Sequence, residues 1–91
     1  MSQKKIVITG IGAVTPNGNN VDEFWNNLIS GISGIAPITY FDADNHRVKI
    51  AGELKHFSAN PILDIKEIRK LDPFSVYAIV ATHEAIEMAG L

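Results

Sequence analysis

Residues Phe74 to Met88 carry apolar side chains nearly all the way round a helical axis. Phe74, Tyr77, Ala78, Ala81, Ala85 and Met88 make one stripe, and Val76, Ile79, Val80 and Ile86 cover much of the rest. A helix apolar on every side is a buried helix. A chain of 91 residues has little core in which to bury it. The pattern therefore asks for further sequence or a partner. The helix has clear punctuation. Asp72 is placed as its N-cap and Pro73 at its first position, and Gly90 stands where a left-handed residue closes a helix. Leu91 can add the hydrophobic contact that accompanies such an ending. The chain stops at this boundary without a polar tail and reads as a piece of something longer.

The other apolar landmark is the segment Lys4 to Val14, predicted to be the first strand. Ile6, Val7 and Ile8 form a nearly continuous run, the pattern of a strand covered on both faces. Gly10 and Gly12 permit a bulge or the close approach of another backbone. Thr15-Pro16-Asn17-Gly18 ends the strand as a turn. The run GIGAVTPNG imitates a dinucleotide loop, but the fingerprint needs glycine where Thr15 stands and a helix opening directly at the glycines. A nucleotide-binding α/β protein is thus the weaker reading.

Between these landmarks the chain alternates helix and loop. Asn20 can cap a helix with Asp22 and Glu23 in its first turn. Val21, Phe24, Trp25, Leu28 and Ile29 fall on one stripe, and Gly31 ends the helix. Gly31 to Asp44 is a long connector, too apolar to hang free, with Ile35, Ile38, Tyr40 and Phe41 expected to pin it to the core. Arg47 to Leu54 alternates Val48, Ile50 and Gly52 against Lys49, Ala51 and Glu53, as a half-buried edge strand would. Pro61 to Leu71 is predicted as a short helix with Pro61 at its first position.

Charge and residue chemistry remove several function classes. Eight basic residues against ten acidic ones give a net charge of −2, against the basic excess of a general nucleic-acid binder. There are no cysteines, so these residues hold no disulfide, thiolate zinc site or cysteine nucleophile. No run approaches the ~20 apolar residues of a membrane span, and the N-terminus lacks the pattern of a signal peptide. A cytoplasmic location is the simplest expectation. His46, His56 and His83 share no zinc-ligand spacing; His83, beside Glu84 and Glu87, is expected to face solvent. Asp42, Asp44 and Asn45 lack the glycine and terminal glutamate of a calcium loop and are better read as a turn. No metal or cofactor is expected.

One charged cluster remains. Lys66, Arg69 and Lys70 lie at i, i+3 and i+4 and share one helix face. Two readings stand: a solvated face tempered by Asp64 and Glu67, or a surface that steers a small acidic partner.

Several pieces in order resemble one family. VITGIGAVTPNG is followed by FWNNL, GISGIAPITYFDA, KIAGELKHF and KEIRKLDPFSVYAIVATHEAIEMAGL. Together they are similar to the N-terminal part of a β-ketoacyl-acyl-carrier-protein synthase of the type II elongating kind. The TP-x-G turn, the FW pair and the FDA segment favour that kind over type I and polyketide ketosynthases. The resemblance covers essentially the whole chain, residues 1–91. It implies the N-terminal part of an α/β, thiolase-like fold of five alternating layers, αβαβα, in a homodimer. The elements, in order, would be strand, helix, long loop, short edge strand, helical segment and buried helix.

The implied reaction is a decarboxylative Claisen condensation in fatty acid elongation. A cysteine takes the acyl chain from acyl carrier protein, and malonyl carrier protein loses carbon dioxide and attacks the thioester. Two histidines and backbone N–H groups stabilise the developing charges. The resemblance puts this triad beyond residue 91, so the chain alone is expected to be inactive, with no catalytic residue of its own. What carries over is KEIRK, whose Lys66, Arg69 and Lys70 match the family's basic residues that face the acidic carrier protein; Ile68 stands where relatives often have a polar residue. The alternatives are a non-catalytic carrier-protein-binding module, a chain-length-factor-like relative and a polyketide ketosynthase segment. The resemblance puts the acyl pocket largely outside these residues, so they do not reveal an acyl-chain preference.

Overall fold

The computed structural model describes residues 3–91. Three helices and one small antiparallel pair follow in order: α1 (Val21–Ile29), β1 (Ala36–Pro37), β2 (Ile50–Ala51), α2 (Ile65–Arg69) and α3 (Pro73–Ala89). The molecule is long and thin, 65 × 37 × 21 Å, with a radius of gyration of 16.8 Å. A compact domain of this length would have a radius of about 12 Å. The described residues do not close into a globule.

The buried cluster sits where the 57–63 segment crosses the first half of α3. Ala59, Leu63, Val76 and Val80 are buried, with Val14, Phe57, Ile62, Ile68 and Leu71 packed against them. Phe57 meets Tyr77 edge to face at 5.1 Å, an arrangement that aromatic quadrupoles favour. The cluster buries α3 only in part, as expected of an apolar helix that asks for further sequence or a partner. Val76 and Val80 are covered, while Phe74 is 71% and Met88 49% exposed. The described residues supply neighbours to one side of the helix only. Its two ends follow the sequence closely. Pro73 opens the helix, although the Asp72 side chain makes no capping bond. Gly90 closes it at φ 78°, with Gly90 N–H donating to Glu87 and Leu91 N–H to Ile86. That is the paired bonding of a Schellman ending.

The expected first strand is corrected. Residues 4–14 form no ladder among the described residues, and Ile6, Val7 and Ile8 are 97%, 71% and 85% exposed. A strand is made by extended neighbours that pair with its backbone groups, and among the described residues no extended segment pairs with this one. The two glycines do serve close approach. A Cβ on Gly10 would strike the carbonyl of Ala85, and one on Gly12 the carbonyl of Ala81. The segment thus lies backbone to backbone on the alanine side of α3. At its end, Thr15 and Gly18 exchange two backbone hydrogen bonds, at 2.8 and 3.1 Å, in the expected turn.

α1 forms over the predicted residues. The Asn20 side chain accepts from the Glu23 N–H at 2.8 Å, and Gly31 takes φ 73° just past the last turn. Its apolar stripe is only partly covered, with Trp25 57% and Ile29 64% exposed. The edge strand shrinks to two pairs, Ala36 with Ala51 and Pro37 with Ile50. Its alternation is inverted: Ala51 and Glu53 are half-buried, whereas Val48 and Ile50 are exposed. The inward side here is fixed by polar ties. Glu53 accepts from the Thr39 and Tyr40 N–H groups, each at 2.9 Å. The Lys55 ammonium donates to the carbonyls of Pro16, Gly34 and Glu53 at 3.1, 2.8 and 3.0 Å. It thereby joins the first turn, the connector and the segment after β2. No helix among the described residues is long and apolar enough to cross a membrane.

Candidate functional site

The basic cluster is built on α2. The predicted helix from Pro61 is shorter in the structure and starts four residues later. Pro61 sits in a turn in which Leu63 N–H donates to the Ala59 carbonyl at 3.0 Å. Asp64 is the residue that starts the helix, because a short carboxylate in extended backbone can satisfy the orphan N–H groups of the first turn. Its side chain accepts from Glu67 N–H at 2.8 Å, and the Glu67 carboxylate accepts from Asp64 N–H at 3.3 Å. This is a reciprocal capping box.

The capping box has an electrostatic consequence. The two acids expected to temper the basic face are both turned to the backbone of the first turn. Lys66 and Arg69 lie on α2 and Lys70 is its C-cap, and all three are exposed. Among the described residues, none of the three is ion-paired. Ile68 and Leu71 pack on the buried cluster, which fixes the rotation of the helix about its axis. The structure therefore brings the three predicted cations together on one outward face, held from beneath by apolar contacts.

An open cleft of about 730 Å³ adjoins this face, lined by Ser58, Asn60, Leu63, Asp64, Ile65, Lys66 and Ile68. Lys66 thus borders both the basic face and the cleft. Ile65 is 67% exposed, which is unusual company for a cationic surface.

The histidines are dispersed. His46 packs edge to face with Phe41 at 5.3 Å, and His83 lies 3.1 Å from Glu87 with both side chains open to solvent. His56 adopts φ 56° in the loop after β2. No group of three His, Cys, Asp or Glu side chains gathers as a metal site among the described residues. The Asp42 carboxylate accepts from the Asp44 N–H at 3.0 Å, forming the turn read from the sequence. At Glu53, partial withdrawal from water favours the neutral acid. The hydrogen bonds from Thr39 and Tyr40 and the nearby Lys55 charge outweigh it and hold the carboxyl below its ordinary value.

One important side chain was not anticipated. Glu84, named in the sequence only as a neighbour of the exposed His83, is half-buried. Its two carboxylate oxygens accept from Ala13 N–H and Val21 N–H, each at 2.9 Å. It ties the extended segment and the start of α1 to α3. The available signal was its position three residues after Ala81 and one before Ala85, on the small-residue side against which the glycines pack.

The chain spans about a fifth of the length of the curated relatives it matches. Residues 3–91 match the family model described as Beta-ketoacyl synthase, N-terminal domain. The chain is 48% identical over 92 residues to 3-oxoacyl-[acyl-carrier-protein] synthase 2 of Staphylococcus aureus (strain COL), covering all of this chain and 22% of that protein. It is 42% identical over 91 residues to the protein of the same name from Synechocystis sp., with the same coverage. Among solved structures, the ishigamide ketosynthase/chain length factor superposes with a TM-score of 0.82 at 30% identity, over 93% of this chain and 21% of that one. The similarity runs through the extended segment, α1, the connector, the capped basic helix and α3 alike, and the chain belongs to the β-ketoacyl synthase family as part of its N-terminal domain.

Proposed function

We infer that the protein to which this chain belongs is a 3-oxoacyl-acyl-carrier-protein synthase of fatty acid elongation. It would join malonyl carrier protein to an acyl thioester by decarboxylative Claisen condensation. The observation that carries this reading is the whole-chain identity of 42% and 48% to proteins of that name. The share of this chain in the work is recognition. Lys66, Arg69 and Lys70 present a connected positive face to an acidic acyl carrier protein, steering its approach and orienting its acyl cargo. The nucleophile must come from other residues, since these 91 contain no cysteine. The complete enzyme is read as a cytoplasmic homodimer with the five-layered αβαβα architecture of the thiolase-like fold.

The likeness to a ketosynthase/chain length factor supports a second reading, a non-catalytic partner subunit that keeps the fold and the docking face. The 30% identity there, against 42% and 48% to the synthases, favours the enzyme. One experiment separates the two. The full-length protein, incubated with an acyl carrier protein thioester and malonyl carrier protein, should release carbon dioxide and form the 3-oxoacyl product. The 91-residue chain alone should form none. A full-length protein that binds both carrier proteins yet makes no product would favour the non-catalytic subunit.

A further inference from the structure

We propose that the basic face works together with an apolar anchor site beside it, centred on Ile65. This rests on the reading of Lys66, Arg69 and Lys70 as a carrier-protein docking surface. The occupant is an apolar side chain flanked by acids on the surface of the acidic carrier protein.

Three observations on the same short helix support the anchor. Ile65 is 67% exposed although it lies within one turn of Ile68, which packs on the core. It borders the open cleft of about 730 Å³, whose apolar lining is Leu63, Ile65 and Ile68 and whose rim carries Lys66. Ile65 and Arg69 are four residues apart and stand one turn from each other on the same side of α2, so the apolar side chain adjoins the cationic face at Arg69. Asp64, the acid nearest the cleft, has a carboxylate oxygen taken by the Glu67 N–H.

Charge complementarity identifies the kind of partner. A neutral apolar segment would gain nothing from the cations, and a purely acidic one would leave Ile65 and the cleft floor wet. A side chain with acids on either side matches all of it. The two contributions respond differently to salt. Charge steering fades as the screening length falls from ~10 Å at 0.1 M to ~3 Å at 1 M. Apolar burial does not fade with it. The complex should therefore keep a salt-resistant part of its affinity.

The test uses the full-length protein and measures its Kd for acyl carrier protein at about 0.1 M and about 1 M salt. Ile65→Asn should weaken binding about fivefold at both concentrations, while Ile65→Leu should bind within about twofold of the native protein. Ile65 is not among the residues that pack on the buried cluster of this chain, and the melting temperature of each full-length variant, expected to match the native protein, is measured beside its Kd. The anchor is overturned if Ile65→Asn binds as the native protein does at high salt, or if the native protein retains no measurable affinity there. The triple variant Lys66→Gln, Arg69→Gln, Lys70→Gln separates this outcome from failure of the docking reading itself. Loss of low-salt affinity in that variant upholds docking even where the Ile65 result is negative. Unchanged low-salt affinity removes docking, and the anchor with it.

Discussion

Glu84 is the residue on which the arrangement of the N-terminal half depends most. A single carboxylate receives the N–H groups of Ala13 and Val21, which are separated by the Thr15–Gly18 turn. Both donors sit in half-buried surroundings. Removing the acceptor leaves two amides poorly satisfied, at a cost of about 1–3 kcal/mol. Glu84→Ala in the full-length protein should lower the denaturant midpoint accordingly, and Glu84→Gln, which keeps one acceptor oxygen, should fall between. A midpoint unchanged in Glu84→Ala would mean that the two amides find other partners. Lys55 plays the corresponding part for the connector, with three carbonyls around one ammonium. Neither role was legible in the sequence, where Glu84 is one of two acids near His83 and Lys55 is a lysine just past a predicted strand. Bonds from a side chain to distant backbone leave no periodicity behind them. The basic trio was legible because i, i+3, i+4 spacing is a local property.

At the scale of elements, legibility followed the range of the interactions involved. α1 was readable end to end because its cap, acidic first turn and closing glycine all lie within its own sequence. α3 was readable for the same reason at Pro73 and Gly90. At α2 two openers compete, Pro61 and Asp64, and the capping box with Glu67 decides in favour of Asp64. Strands fared worst. The apolar run of residues 4–14 was recognised, but a strand exists only with its neighbours, and the described residues provide none. β2 presents Ala51 inward because polar ties to Thr39 and Tyr40, not an apolar face, set its side. The uncovered surfaces make an element-level prediction. Phe74, Ile79, Ile86 and Met88 leave apolar surface on α3, and the Ile6–Ile8 run is bare as well. Exposed apolar surface of that extent drives association. The isolated 91-residue chain should self-associate in analytical ultracentrifugation, with broad side-chain NMR signals. A sharp, monomeric spectrum would contradict the assignment of that surface as one needing cover.

For the whole molecule, the thin outline and the small buried cluster agree with a segment that is one part of a larger α/β architecture. It spans 22% of the length of its curated relatives. The family was legible in the sequence because five short pieces keep their order and spacing, although no single piece identifies it. The chemistry was legible only as an absence of cysteine. The central proposal is that this part of the N-terminal domain contributes a carrier-protein docking face built from Lys66, Arg69 and Lys70. The most direct test reverses all three to glutamate in the full-length protein and follows acyl carrier protein binding across a salt series. The triple reversal should weaken binding by about tenfold or more at low salt, with the difference from the native protein shrinking as salt rises. Equal affinities for the reversed and native proteins at low salt would contradict it.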